Sequence, residues 1–134
     1  MSIYLDSIIW NEEGLVPVII QETKTNKVIM FAWMSRESLN QSLKEGKAIY
    51  WSRSRKKIWM KGEESGHIQY IDEILLDCDQ DALLLKVRQE GGIACHTGRS
   101  SCFYRKVDLT EHKLIEIEPV IKEPSKIYKD KNNG

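Results

Sequence analysis

Apolar and β-branched residues fall in short runs separated by polar connections, the rhythm of a strand-rich domain. Leu15 to Gln21 and Val28 to Trp33 are two such runs, joined by Thr23-Lys24-Thr25-Asn26-Lys27, and together they predict a hairpin. The pattern then changes. Ser35 suits an N-cap, Glu37 sits in the first turn, and Gly46 follows Lys44-Glu45 as a stop signal. This predicts one short helix over Arg36 to Glu45, with Leu39 and Leu43 four residues apart on its buried face. A strand resumes at Ala48 to Ser52. Ile68 to Leu76 and Ala82 to Val87 predict a second hairpin turning over Cys78 to Asp81. A polar loop with two cysteines follows Gly91-Gly92, and a short strand is expected at Phe103 to Val107. The expected class is α+β, mainly antiparallel sheet with one or two short helices. The pattern assigns 1–118 to a single domain and 119–134 to a polar, frayed tail.

Length and charge narrow the function. At 134 residues the chain has room for a core, yet is small enough that a partner subunit would help. Twenty basic and twenty acidic side chains cancel, so no global field draws the chain to nucleic acid or a membrane. No apolar run approaches the length of a membrane span. The stretch Met1 to Trp10 lacks both the basic start and the continuous apolar run of a secretory segment, so a reducing cytoplasm is expected. In that compartment three cysteines argue for thiol or metal chemistry.

All three cysteines stand beside other ligand-type residues: Cys78 within Asp77-Cys78-Asp79-Gln80-Asp81, and Cys95 and Cys102 at the ends of Cys95-His96-Thr97-Gly98-Arg99-Ser100-Ser101-Cys102. A buried, inert thiol would suit Cys78 beside Leu75 and Leu76, but it suits the polar loop poorly. Three thiolates are one short of a closed structural zinc site, so a zinc held by all three keeps a position for water or substrate. Asp77, Asp79 and Asp81 fail as an EF-hand, because Ala82 and Arg88 occupy the glycine and glutamate positions. Crowded carboxylates still favour a hard cation such as magnesium. If the segment is extended, alternation sends the aspartates to one face and Cys78 to the other, sorting hard from soft ligands. Cys78 also belongs to a different loop from Cys95 and Cys102, so a zinc shared across a dimer is a reasonable expectation.

The third constellation is the run from Tyr50 to His67. Arg53, Ser54, Arg55 and Lys61, with the glycine amides of Gly62 and Gly66 and the Ser65 hydroxyl, are phosphate-binding groups, and Trp51 and Trp59 offer stacking faces for a base. A solvated basic face over two core tryptophans is the plainer reading.

Four segments together resemble the phosphoribosyl-AMP cyclohydrolase family of histidine biosynthesis, over about Phe31 to Arg105. They are Tyr50-Trp51-Ser52-Arg53-Ser54-Arg55, Trp59-Met60-Lys61-Gly62-Glu63-Glu64-Ser65-Gly66, Asp77-Cys78-Asp79-Gln80-Asp81-Ala82 and Cys95-His96-Thr97-Gly98-Arg99-Ser100-Ser101-Cys102-Phe103. The resemblance implies a zinc- and magnesium-dependent, intertwined homodimer that hydrolyses the N1–C6 bond of 1-(5-phosphoribosyl)-AMP. It makes Cys78, Cys95 and Cys102 the zinc ligands, with Cys78 supplied by the partner subunit, and Asp77, Asp79 and Asp81 the magnesium ligands. It also implies a nucleotide substrate with two phosphates, held by Trp51, Arg53, Ser54, Arg55, Lys61, Gly62, Ser65, Gly66, Thr97 and Arg99. A single activity is expected, without a fused pyrophosphohydrolase domain.

The chemistry is consistent with that resemblance. Ribosylation at N1 leaves C6 electron-poor, open to attack by a water that zinc has acidified. His96 is the first candidate to move the proton and His67 the second, whereas His112 reads as a surface residue. No histidine here begins the H-x-E signature of zinc base deaminases. The alternative is a small structural zinc protein that binds RNA through residues 51–61.

Overall fold

The computed structural model describes residues 3–127. Strands β1 (Leu15–Glu22), β2 (Val28–Ser35), β3 (Ile49–Ser52), β4 (Lys57–Met60), β5 (Gln69–Leu76) and β6 (Leu83–Gln89) form one sheet in the order β4-β3-β2-β1-β6-β5. Every neighbouring pair is antiparallel except β1 and β6, which run parallel. Helices α1 (Ile3–Ser7) and α2 (Arg36–Glu45) are short, and β7 (Arg105–Val107) with β8 (Leu114–Glu116) makes a separate two-stranded ribbon. The class is α+β, as expected.

Period-two alternation builds the core. Val16, Val18 and Ile20 on β1, with Met30, Ala32 and Met34 on β2, turn inward and are buried, while Ile19 and Phe31 point outward. Each fully buried aliphatic side chain contributes about 1.5–3 kcal/mol. The sheet curls until its two ends meet. The Ala48 N–H donates to the Gln69 carbonyl at 2.9 Å and the Ile71 N–H to the Gly46 carbonyl at 2.9 Å, wrapping the strands around Tyr50, Leu85 and Val87.

Helix α2 begins and ends where its caps dictate. Ser35 Oγ accepts from the Ser38 N–H while Ser38 Oγ accepts from the Ser35 N–H, a reciprocal cap in which serine takes the usual glutamate's place. Gly46, at φ 70°, closes the last turn by donating to the Ser42 carbonyl. The buried face differs from expectation. Leu39 is buried, but Ser38 and Ser42 complete that face and Leu43 is 38% exposed. Small serines let the helix lie close to β3, where Ser42 Oγ bonds both the N–H and the carbonyl of Ile49.

Three further points bear on the sequence reading. Lys57–Met60 is a strand, paired with β3 from Ile49↔Met60 to Ser52↔Lys57. Residues 77–82 form the expected turn of the β5–β6 hairpin, with Gln80 at φ 63°; the segment is not extended, so the conditional sorting of the aspartates and Cys78 by strand alternation does not apply. Of the expected tail, residues 119–127 bond to the cysteine loop through Ile121 N–H to the Gly98 carbonyl and bury Ile127. The remainder, 128–134, lies outside the described residues.

Candidate active site

The cysteine loop is folded by its own backbone and then pinned to β2. The N–H groups of Ala94 and Cys95 both donate to the Arg99 carbonyl, and Gly98 N–H donates to the Cys95 carbonyl. The Ser101 hydroxyl donates to the Val28 carbonyl at 3.0 Å, and the Cys102 N–H donates to the Ile29 carbonyl at 2.7 Å. This folding makes the Cys95 and Cys102 thiols neighbours. Burial pushes the Cys102 thiol up to about 12, and its hydrogen-bonded neighbour Cys95 adds to the effect against the opposing charge of Lys61. Thr97 Oγ1 lies 3.1 Å from the Cys95 sulfur.

Lys61 reaches this pair from the end of β4. Its ammonium donates to the Ala94 carbonyl; burial lowers its pKa, and Cys102 and Cys95 push the other way. This half-buried cation opposes, without overcoming, the rise of the Cys102 thiol. Gly62 then turns the chain at φ 87°, where a Cβ would stand 2.4 Å from the Ile68 nitrogen. Gly66 N–H closes the turn on the Gly62 carbonyl, and Ser65 Oγ accepts from the His67 N–H at 3.2 Å. His67 is thereby set close to Lys61. Its pKa is lowered by burial first, then by Lys122 and Lys61, with Glu90 opposing. His96 lies exposed on the turn that follows Cys95, and His112 is exposed beyond β7.

The third cysteine is elsewhere. Cys78 is exposed in the β5–β6 turn, before β6 begins, whereas the cysteine loop follows the end of β6. Seven strand residues separate these ends, roughly 20 Å at about 3.3 Å per residue. Around Cys78 the carboxylates of Asp77, Asp79 and Asp81 converge, with one oxygen from each within 4.8 Å of the others. No second cluster of three such ligands occurs among the described residues. Asp77 Oδ1 also accepts from the N–H groups of Asp81 and Ala82, which holds the turn. The Asp81 carboxyl is raised by desolvation and by repulsion from Asp77 and Asp79.

The basic run divides in two. Arg53, Ser54 and Arg55 occupy the β3–β4 tip, with Arg53 stacked 4.6 Å over Trp33, Arg55 5.9 Å over Trp59, and Trp51 half-buried beside Trp33. Arg53 and Ser54 share an open hollow with Glu13 and Trp33. Lys61, Gly62, Ser65 and Gly66 lie at the far end of β4, with the thiols. Arg99 directs its charge within the fold: it donates to the Glu118 carbonyl and the Glu116 carboxylate, and stacks 4.0 Å over Tyr104.

Two features had no sequence signal. Tyr50, Gln69 and Gln89 form a buried relay: the Tyr50 hydroxyl bonds Gln69 Oε1, Gln69 Nε2 donates to Gln89 Oε1, and Gln89 Nε2 donates to the His67 carbonyl. Their separation along the chain hides it. Lys122, in the expected tail, acts on His67.

With this geometry in view, comparison with known proteins is decisive. The family model described as phosphoribosyl-AMP cyclohydrolase matches residues 30–104, which hold both thiols, Lys61, His67 and the aspartate turn. The chain belongs to the phosphoribosyl-AMP cyclohydrolase family. A Burkholderia vietnamiensis protein of that name is 55% identical over 128 residues, covering 94% of this chain and 93% of its own. One from Herminiimonas arsenicoxydans, named the same way, is 57% identical over 128 residues and is covered to 96%. As a member of the family the chain is an enzyme, a hydrolase of a cyclic amidine. An RNA-binding structural zinc protein is not needed to explain it. Among the described residues no helix is long and apolar enough to cross a membrane.

Proposed function

We propose that this enzyme opens the adenine ring of 1-(5-phosphoribosyl)-AMP at the N1–C6 bond, giving phosphoribosylformimino-AICAR ribotide for histidine biosynthesis in the cytoplasm. The observation that carries this reading is the adjacent Cys95 and Cys102 pair beside Lys61, within the segment that matches the family. Such a donor set fits zinc: two soft ligands are already together, a cation offsets their charge, and a position remains for a third thiol. Cys78 of a second chain is that third ligand, because within one chain it lies at the other end of β6. The converging carboxylates of Asp77, Asp79 and Asp81 fit magnesium, a hard ion that takes oxygen ligands. The working unit is a homodimer.

Zinc, when bound, supplies the acidity that makes a water nucleophilic at neutral pH. The chain's own residues do the rest. His67, kept neutral by burial and by the Lys122 and Lys61 charges, is suited to accept the proton from the attacking oxygen and return it to the departing N1. His96, on the Cys95 turn, is the other group able to carry that proton. Arg53, Ser54 and Arg55 bind one phosphate at the β3–β4 tip, and Trp51 gives a stacking face to the base. The turn from Gly62 to Gly66 offers its amides and the Ser65 hydroxyl near the thiols, while Thr97 orients Cys95.

The test is ultraviolet ring-opening of 1-(5-phosphoribosyl)-AMP by zinc-loaded, chelator-stripped and zinc-restored protein. Turnover that disappears and returns with zinc is expected. Equal turnover by fully stripped protein would overturn the zinc assignment, and no turnover by any form would overturn the reaction.

A further inference from the structure

All seven glycines among the described residues have positive φ, but what surrounds them differs. Gly14, Gly46, Gly66 and Gly92 have open space where a Cβ would stand, and at Gly62 and Gly98 it is backbone that comes closest. Gly91 meets a titratable side chain. At φ 74° its missing Cβ would lie 2.9 Å from Cδ2 and 3.3 Å from Nε2 of His67, so the imidazole lies directly on bare glycine backbone. Carbon atoms in contact stand about 3.5–4.0 Å apart, so any side chain at position 91 pushes the ring off this seat. The two halves of the seat are also stapled together. Glu90 N–H donates to the Ile68 carbonyl at 2.8 Å, while Gln89 Nε2 donates to the His67 carbonyl at 2.9 Å and to the Glu90 carbonyl at 3.4 Å. Gln89 Oε1 in turn accepts from Gln69 Nε2 at 2.8 Å, and Gln69 bonds the Tyr50 hydroxyl. Tyr50, Gln69 and Gln89 are buried, and among the described residues no buried side-chain nitrogen or oxygen lacks a partner. A buried polar network that is fully satisfied holds one geometry. The geometry held here is residue 67 against residue 91.

We infer that Gly91 and Gln89 are positioning residues for His67, Gly91 as the surface on which the ring is set and Gln89 as the staple that holds that surface against it. The inference rests on the reading of His67 as the group that carries the proton, and it names what places the ring for that transfer. His96 is exposed on its turn, whereas His67 is fixed through both its backbone and its ring. The ring turns on its own side-chain torsions, so it can yield to an added methyl group at little cost to the fold. The cost falls on kcat, because proton transfer needs the imidazole within hydrogen-bond reach of the reacting atoms. Substrate binding and folding are left nearly as they were.

The experiment compares Gly91→Ala with Gly92→Ala in full-length protein at matched zinc content. Gly92, at φ 68°, imposes the same left-handed strain on alanine but has nothing within 4 Å of its Cβ position, so the pair separates contact with the ring from strain in the backbone. Both should unfold at similar urea concentrations. Gly91→Ala is expected to lower kcat roughly 100-fold, the loss typical of a reacting group misplaced by about 1 Å, with KM changed less than about threefold. Gly92→Ala should keep kcat within about threefold of wild type, and only Gly91→Ala should shift the His67 ring-proton resonances, read without turnover. Gln89→Leu fills the same space without the staple and should lower kcat in the same way. If Gly91→Ala does not fold, Gly91→Asn carries the Cβ on a residue that accepts positive φ more readily. In a His67→Gln background Gly91→Ala should cost nothing further, since its effect passes through the ring. Equal kcat for folded Gly91→Ala and Gly92→Ala, wild-type kcat in Gln89→Leu, or a further fall in the His67→Gln background would overturn the inference, while a slow His67→Gln would still keep His67 as the proton carrier. A His67→Gln enzyme with wild-type kcat would instead remove His67 from proton transfer, and the inference with it.

Discussion

Cys95 and Cys102 are neighbours because Ser101 and the Cys102 amide are held by the first carbonyls of β2, and Lys61 completes their surroundings. Burial makes the Cys102 proton hard to remove, so the proposed zinc would have to expel it on binding. Apparent zinc affinity should therefore rise with pH, roughly tenfold per pH unit for each thiol proton released. A pH-independent affinity by competition titration would remove Cys102 from the site. Replacing Cys102 with serine should release zinc and cut turnover more than about 100-fold, beyond what loss of an outer-shell partner costs. His67 gives a second residue-scale expectation. Its folded pKa lies below the ordinary histidine value, so the unfolded chain binds more protons as pH falls through that ordinary value. Stability is then lost on the acid side, beginning near pH ~6.5, and His67→Gln should flatten that loss in urea titrations at several pH values. As the proton acceptor, neutral His67 should hold turnover level through that range until its own lower pKa is reached. At the aspartate turn, Asp77→Asn with Asp79→Asn and Asp81→Asn keeps the oxygen that bonds Asp81 and Ala82 N–H but removes the charge. Magnesium binding by calorimetry should weaken, zinc should stay, and activity should recover partly at high magnesium; a rate unchanged at every magnesium concentration would make the trio a solvated turn.

Elements written in local signals are legible in the sequence, and those made by distant contacts are not. Helix α2 is readable because Ser35, Glu37 and Gly46 act within one turn of its ends, and the hairpins because alternation and turn residues lie side by side. Its buried face is not, since the close approach to Ile49 that favours Ser42 over Leu43 is set by the sheet. Charged residues around Lys57–Met60 conceal a strand whose pairing comes from β3. The cysteine loop is legible as chemistry, but its lid is not: 119–122 crosses it through contacts no composition announces. Gly98 marks that crossing. At φ 85°, a Cβ would fall 1.8 Å from the Lys122 carbonyl oxygen, so Gly98→Ala should cost about 1–3 kcal/mol for the backbone conformation alone, and more as 119–122 is displaced. Chemical denaturation with zinc analysis checks this, and a neutral substitution would mean the crossing contributes little.

At the scale of the whole molecule, the residues of the proposed zinc site lie at opposite ends of one strand. The curled sheet puts Cys78 and the aspartates at one end of β6 and the thiol pair with Lys61 and His67 at the other. The sequence shows Cys78 before the strand and the other two cysteines after it, but not that Ser101 and Cys102 are pinned to the start of β2, which holds the thiol pair at the far end. The most direct test mixes two inactive proteins, Cys78→Ser and Cys95→Ser, under conditions where subunits exchange, and measures ring opening of 1-(5-phosphoribosyl)-AMP. Random pairing makes half the dimers mixed, each with one intact site of two, so activity should return to about a quarter of wild type. No recovery despite demonstrated exchange, or full activity in either mutant alone, would contradict a site shared between chains.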